Sequence, residues 1–241
     1  MRKAAGIIPA RYQSSRFPGK PLVSILGKPL IQRVYEGVQK AKSLERLIIA
    51  TDDERIFNAA KKFGAEVVMT SASHASGTER VAEVAKKITS PLVINIQGDE
   101  PLIEAGMIDG LAAAFQDDEV PMASLMARVT NLGLIKDPHI VKVVVDKEGW
   151  ALYFSRQPIP SAAQDFFFRH IGIYGYQREF LLKFARLEPT RLEICEKLEQ
   201  LRAMENGYRI KMIEVPRSTL SVDTPQDIIR VEKFLREEAE P

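Results

Sequence analysis

Residues 9–20 read Pro-Ala-Arg-Tyr-Gln-Ser-Ser-Arg-Phe-Pro-Gly-Lys. Arg11, Arg16 and Lys20, the hydroxyls of Ser14 and Ser15, and the flexible Gly19 stand on one polar loop directly after an apolar run. That set suits a polyphosphate, because Lys and Arg neutralise charge as it shifts to a leaving group. A solvated basic loop between strand and helix would have the same composition, so the residues alone leave both readings open. The loop matches neither the P-loop nor G-x-G-x-x-G, which argues against a dehydrogenase. A second apolar run ends in Gln97-Gly98-Asp99-Glu100-Pro101, placing Asp99 at the mouth of the same crevice. Ser221-Val222-Asp223-Thr224-Pro225 supplies another carboxylate. Thr224, Pro225 and Asp227 suffice to start a helix, so Asp223 is available for another task. Two Asp residues on converging loops would make a fair Mg²⁺ site, although a turn or cap is an equally ordinary use of Asp.

Ser76-Gly77-Thr78-Glu79-Arg80 reads as a capping box, which accounts for Ser76 and Glu79 but not for Gly77 and Arg80. A glycine at a helix start lets a flat ring approach the backbone. Arg156 follows an aromatic strand and His170 opens another, so the two could recognise an anionic substrate, or His170 could be structural. Leu192, Cys195, Leu198 and Leu201 form an apolar helical stripe with Cys195 as core. Glu199 stands at its edge, either drawn inward or on a solvated acidic face.

The elements that must position these residues alternate. Strands are expected at residues 4–8, 46–50, 67–69 and 92–96, with helices over 30–38, 77–87 and 104–115. Another helix runs to residue 62, capped by Thr51 or Asp52. Uniformly apolar strands separated by helices argue for a parallel sheet covered on both faces. The second half adds strands at 122–129, 141–146, 152–154 and 171–176, in the manner of a mixed or antiparallel extension. A helix over 192–204 stops at Asn206-Gly207, then a strand at 210–214 and a helix over 224–238 follow. Residues 157–165 are the expected mobile segment.

Composition narrows the class. The 241 residues are 45% hydrophobic and 27% charged, with a formal net charge of +2. No broad basic field points to nucleic acid. No apolar run approaches the ~20 residues of a membrane helix. The apolar stretch after the basic start ends at Pro9 and Arg11, too short for a signal sequence. Cys195 is the single cysteine, and His74, His139 and His170 are the only histidines. Any metal is therefore expected on carboxylates. A soluble, cytoplasmic protein is the expectation.

Taken in order, residues 8–11, 15–16, 18–22, 27–29, 50–52, His74 with 76–80, 95–101, 141–144, 151–156, 169–174, 198–202 and 222–225 closely resemble the 3-deoxy-manno-octulosonate (Kdo) cytidylyltransferase, or CMP-Kdo synthetase, family nearly end to end. The resemblance implies a Rossmann-like α/β nucleotidyltransferase fold, one domain over 1–241, in which roughly residues 130–205 contribute a smaller mixed α+β sugar-binding and dimerisation lobe. It implies transfer of CMP from CTP to Kdo with release of pyrophosphate, supplying activated Kdo for lipopolysaccharide synthesis, by a homodimer using Mg²⁺. Ala10, Arg11, Ser14, Arg16, Lys20, Ser76, Gly77, Arg80 and Gln97 would bind the nucleotide. Gln97, Arg156, His170, Glu199 and Gln200 would place the sugar acid. Asp99 and Asp223 would ligate the metal and, with Arg16 and Lys20, form the catalytic set.

Two departures stand out. Residues 160–168 are shorter than in many relatives, and Ser221 replaces an expected Gly before Val222-Asp223. A cytidylyltransferase for 8-amino-Kdo or sialic acid is the sibling alternative. A non-catalytic nucleotide sensor is the alternative from another class, disfavoured by the retention of Lys20, Asp99 and Asp223.

Overall fold

The computed structural model describes residues 2–13 and 17–239, the last without its side chain. The expected phosphate ligands Ser14 and Arg16 lie outside the described residues.

Seven residues alternate cleanly in β1 (Ala4–Ala10): Ala4, Ile8 and Ala10 face one core, Ala5 and Ile7 the other. A strand buried on both sides must be central. After a short hairpin, β2 (Ser24–Ile25) and β3 (Lys28–Pro29), the chain enters α1 (Leu30–Val38). Then come β4 (Leu44–Thr51), α2 (Glu54–Lys62), β5 (Glu66–Met69), α3 (Gly77–Ala85), β6 (Leu92–Asn95) and α4 (Ala105–Ala113). β6, β1, β4 and β5 lie side by side and parallel, the arrangement expected from their apolar sequences.

The second half completes the sheet with β7 (Met122–Val129), β8 (Lys142–Val145), β9 (Ala151–Ser155), β10 (Phe167–Gln177) and β11 (Ile210–Val215). β10 runs antiparallel to both β6 and β7, and β11 is parallel to β7. Early in β10, Phe168 and Arg169 also pair with β8, which carries β9 away from the main path. The register of β10 on β7 slips between Ile171 and Tyr174. Ser124 Oγ fills the slip, 2.8 Å from the Ile173 carbonyl and 2.9 Å from His170 Nε2. This bulge turns one strand from its pairing with β8 into its place beside β6.

Four helices follow in this half: α5 (Arg178–Phe184), α6 (Arg191–Glu196), α7 (Gln200–Glu205) and α8 (Pro225–Ala239). Three local expectations change. The cap of α2 is Asp53, whose carboxylate accepts from Arg55 N at 2.9 Å, because Thr51 is still strand and Asp52 is engaged by Arg80. The helix expected over 192–204 is broken at Lys197, which adopts φ 55°, and the break exposes Cys195 instead of burying it. Helix α5 follows β10 without punctuation and was not anticipated; Phe180, Leu181 and Phe184 bury its inner face.

Candidate active site

The main clefts open at the carboxyl ends of the parallel strands, where such sheets bind ligands. One wall is the loop after β1. Gly19 sits at φ 72°, and a Cβ there would lie 3.1 Å from the Tyr12 ring, so glycine is required by both conformation and space. The turn delivers Lys20 into a single 3₁₀ turn whose next residue is Pro21. A second loop follows β6. A Cβ on Gly98 would stand 3.0 Å from the Pro9 carbonyl, so glycine allows this loop to press on the end of β1. A third loop, before α8, is tied to the second by Val222 N donating to the Asp99 carbonyl at 2.9 Å. Asp227, in the first turn of α8, accepts from the amides of Asp223 (3.0 Å) and Thr224 (2.8 Å) and fixes that loop from below.

The three loops bring Lys20, Asp99 and Asp223 together. Lys20 Nζ lies 2.6 Å from Asp99 Oδ2 and 3.6 Å from Asp223 Oδ1. A cleft of about 210 Å³ opens above them. Ala10 and Arg11 form one side, while Ser76, Gly77 and Arg80 at the start of α3 form the other, with Gln97 between. Every nucleotide-side residue expected from the sequence that the structure describes lines this cleft. Ser76 Oγ caps α3 by accepting from Glu79 N at 3.2 Å. The Glu79 carboxylate reaches back to Ala75 N, one residue short of the expected box. Arg80 is clamped by Asp52 at 2.8 Å and by Thr70, which holds its buried guanidinium at the cleft edge.

His74 also lines this cleft, and no role was read for it from sequence. Its Nε2 is 2.7 Å from Glu83. The Ser71 amide, followed by His74 and Lys87, lowers the Glu83 carboxyl to about 2.

A second cleft of about 330 Å³ shares Gln97, Asp99 and Asp223 with the first. It extends past Ser221 to His170, Tyr174, Glu199 and Gln200. Gln200 Oε1 accepts from Tyr174 OH at 3.1 Å, while its Nε2 is buried with no partner among the described residues. Glu199 is held by the Thr78 hydroxyl; burial raises its carboxyl pKa, opposed by Thr78 and Arg202. Burial, with the Arg169 charge adding to it, lowers His170 to about 3. His170 is therefore neutral near pH 7, a hydrogen-bonding group and not a cation.

Arg156 stands apart from the other expected sugar-side residues. Its Nε donates to the Glu196 carbonyl at 3.2 Å and its Nη1 to the Pro138 carbonyl at 3.0 Å, and it lines neither cleft. The arginine on the cleft wall is Arg169, next to His170. Glu100 is a further wall residue not singled out from sequence; burial and the neighbouring Asp99 push its carboxyl up to about 7.

The donor set suits a hard divalent ion. Asp99 and Asp223 already converge on one cation, the Lys20 ammonium. Among the described residues, no cluster of three or more His, Cys, Asp or Glu side chains could hold a metal. A Mg²⁺ ion here would therefore take its remaining oxygens from phosphate and water, its usual habit.

The cytidylyltransferase family model matches residues 5–212. The 3-deoxy-manno-octulosonate cytidylyltransferase of Syntrophotalea carbinolica is 51% identical, with 95% of this chain and 97% of the relative covered. The chain belongs to the 3-deoxy-manno-octulosonate cytidylyltransferase family. The enzyme of that name from Syntrophobacter fumaroxidans is also 51% identical, over 98% of each chain. A solved CMP:2-keto-3-deoxy-manno-octonic acid synthetase complexed with CTP is similar in structure, with a TM-score of 0.93 at 41% identity over 98% of this chain and 99% of that one. As a member of the Kdo cytidylyltransferase family the chain is a nucleotidyltransferase, and its mostly parallel sheet flanked by helices is the fold the sequence led us to expect.

Proposed function

We propose that the protein transfers CMP from CTP to the anomeric hydroxyl of Kdo and releases pyrophosphate. The observation that carries this reading is the meeting of two clefts at Gln97, Asp99 and Asp223. A nucleotide on one side and a polyhydroxy acid on the other would place their reacting ends together at that junction. In-line attack on the α-phosphorus needs little covalent help from a protein, so positioning and charge neutralisation dominate. Arg11 and Lys20 neutralise the phosphates, and the α3 start with Arg80 takes the nucleoside side. Gln200 and Glu199 on the cleft wall meet the sugar hydroxyls, while neutral His170 offers a hydrogen bond. Asp99 and Asp223 would hold Mg²⁺, which when bound polarises phosphoryl oxygens and activates an attacking hydroxyl.

We place the working protein in the cytoplasm as a homodimer joined through the small lobe. Exposed Leu134 and Leu152 on that lobe support the contact, and no helix among the described residues is long and apolar enough to cross a membrane.

Pyrophosphate release tests the reaction. It should require CTP and Kdo together. Equal release with a neutral sugar phosphate, preference for UTP, or faster turnover of 8-amino-Kdo or sialic acid would overturn the assignment.

A further inference from the structure

The first turn of α3 faces two ways. Ser76 and Gly77 line the nucleotide cleft. Thr78, only 3% exposed, directs its hydroxyl away from that cleft and donates to Oε2 of Glu199, which lines the acceptor cleft. The other Glu199 oxygen is 3.6 Å from Arg202, whose Nε and Nη2 donate to Glu193 and whose Nη1 donates to the Leu187 carbonyl.

We propose that Thr78 is a positioning residue for the acceptor, its hydroxyl aiming Glu199 at the substrate's hydroxyl groups and tying that aim to the helix start that meets the nucleotide. The inference rests on the cytidylyl-transfer reading above. A glutamate has several rotamers to lose on binding, and fixing them beforehand lowers that cost. The Glu199 side chain is 28% exposed, and Thr78 is its closest hydrogen-bond partner, with Ser76 and Arg202 as further polar neighbours, so losing Thr78 loosens its aim. A β-branched residue in a helix has restricted χ1, which presets the direction of the Thr78 hydroxyl. A carboxylate engaged at one lone pair keeps others to accept from sugar hydroxyls. Any displacement of the α3 start by a nucleotide would be felt directly at Glu199.

Steady-state pyrophosphate release, with each substrate varied in turn, tests this in Thr78→Val, Thr78→Ser and Glu199→Gln. Losing a hydrogen bond to a charged group should raise KM for Kdo about tenfold in Thr78→Val while KM for CTP stays within about twofold. Thr78→Ser should restore the wild-type value. The double variant Thr78→Val/Glu199→Gln should be no worse than Glu199→Gln alone, because the two residues act as one unit. Should Thr78→Val be too unstable to assay, Thr78→Ala makes the same comparison without the crowding methyl. Parallel rises in both KM values, additivity in the double variant, or an unchanged KM for Kdo would each overturn the proposal. A wild-type protein inactive with CTP and Kdo would instead defeat the functional reading itself.

Discussion

The Lys20 ammonium, on the floor of the nucleotide cleft, lies 2.6 Å from Oδ2 of Asp99, which both clefts share. Its charge can stabilise a departing pyrophosphate only if it turns from the carboxylates toward the phosphates. Lys20→Met should therefore lower kcat/KM by roughly 10²–10³, the usual cost of removing one charge-stabilising group. Pyrophosphate release measures it. A loss smaller than about tenfold would mean that Lys20 serves only to hold the two carboxylates together.

The contact of Gly98 with β1 leads to a second expectation. A methyl at position 98 must displace the Pro9 carbonyl or its own loop by a few tenths of an ångström. Asp99 is the next residue, so Gly98→Ala should reduce kcat by about tenfold, since misplacement of reacting groups by 1 Å costs about a hundredfold. Thermal unfolding should change little, and a large drop in Tm with kcat intact would contradict this.

Asp52 carries a third. The Arg80 side chain it clamps is 4% exposed, and removing the carboxylate leaves a buried guanidinium with only Thr70 and Ser71 as partners among the described residues. Asp52→Ala should cost about 2 kcal/mol in urea unfolding, the penalty of a buried donor left without its charged partner. KM for CTP should rise as well, because Arg80 would no longer be held at the cleft.

The pH dependence of stability follows from His170. Its ordinary value of 6.5 falls to about 3 in the folded protein. Below pH 6.5 the unfolded chain takes up a proton that the native state refuses, so this contribution is lost as pH falls toward 3. Glu100 acts in the opposite sense, because its rise from 4.5 to about 7 favours the native state as pH falls from 7 toward 4.5. Comparison of wild type with His170→Gln cancels Glu100. Between pH 7 and pH 5 the wild type should lose about 2 kcal/mol relative to the variant. Unchanged relative stability across that window would mean that His170 titrates normally.

These sites differ in how well sequence displayed them. The parallel strands and the nucleotide wall were legible because they depend on local pattern: uniformly apolar runs, each ending in a polar loop. Asp99 and Asp223 could be paired because each follows from its own loop. The break at Lys197 had no such signal, since neither Gly nor Pro stands there, and the left-handed turn is imposed by tertiary packing. The setting of Arg156 was hidden for a related reason. A strand-end arginine looks the same in sequence whether it faces a ligand or caps the Pro138 and Glu196 carbonyls. The neutrality of His170 depends on burial beside Arg169, which composition does not register.

The bond from Val222 N to the Asp99 carbonyl also orders events in time. During translation the ribosome delivers the nucleotide-side loops first and the segment bearing Asp223 more than a hundred residues after Asp99. A growing chain can form β1, β4 and β6 while the second carboxylate is still unmade. The pair of carboxylates therefore waits until residue 223 has emerged, and a shorter chain that traps CTP lacks the means to spend it.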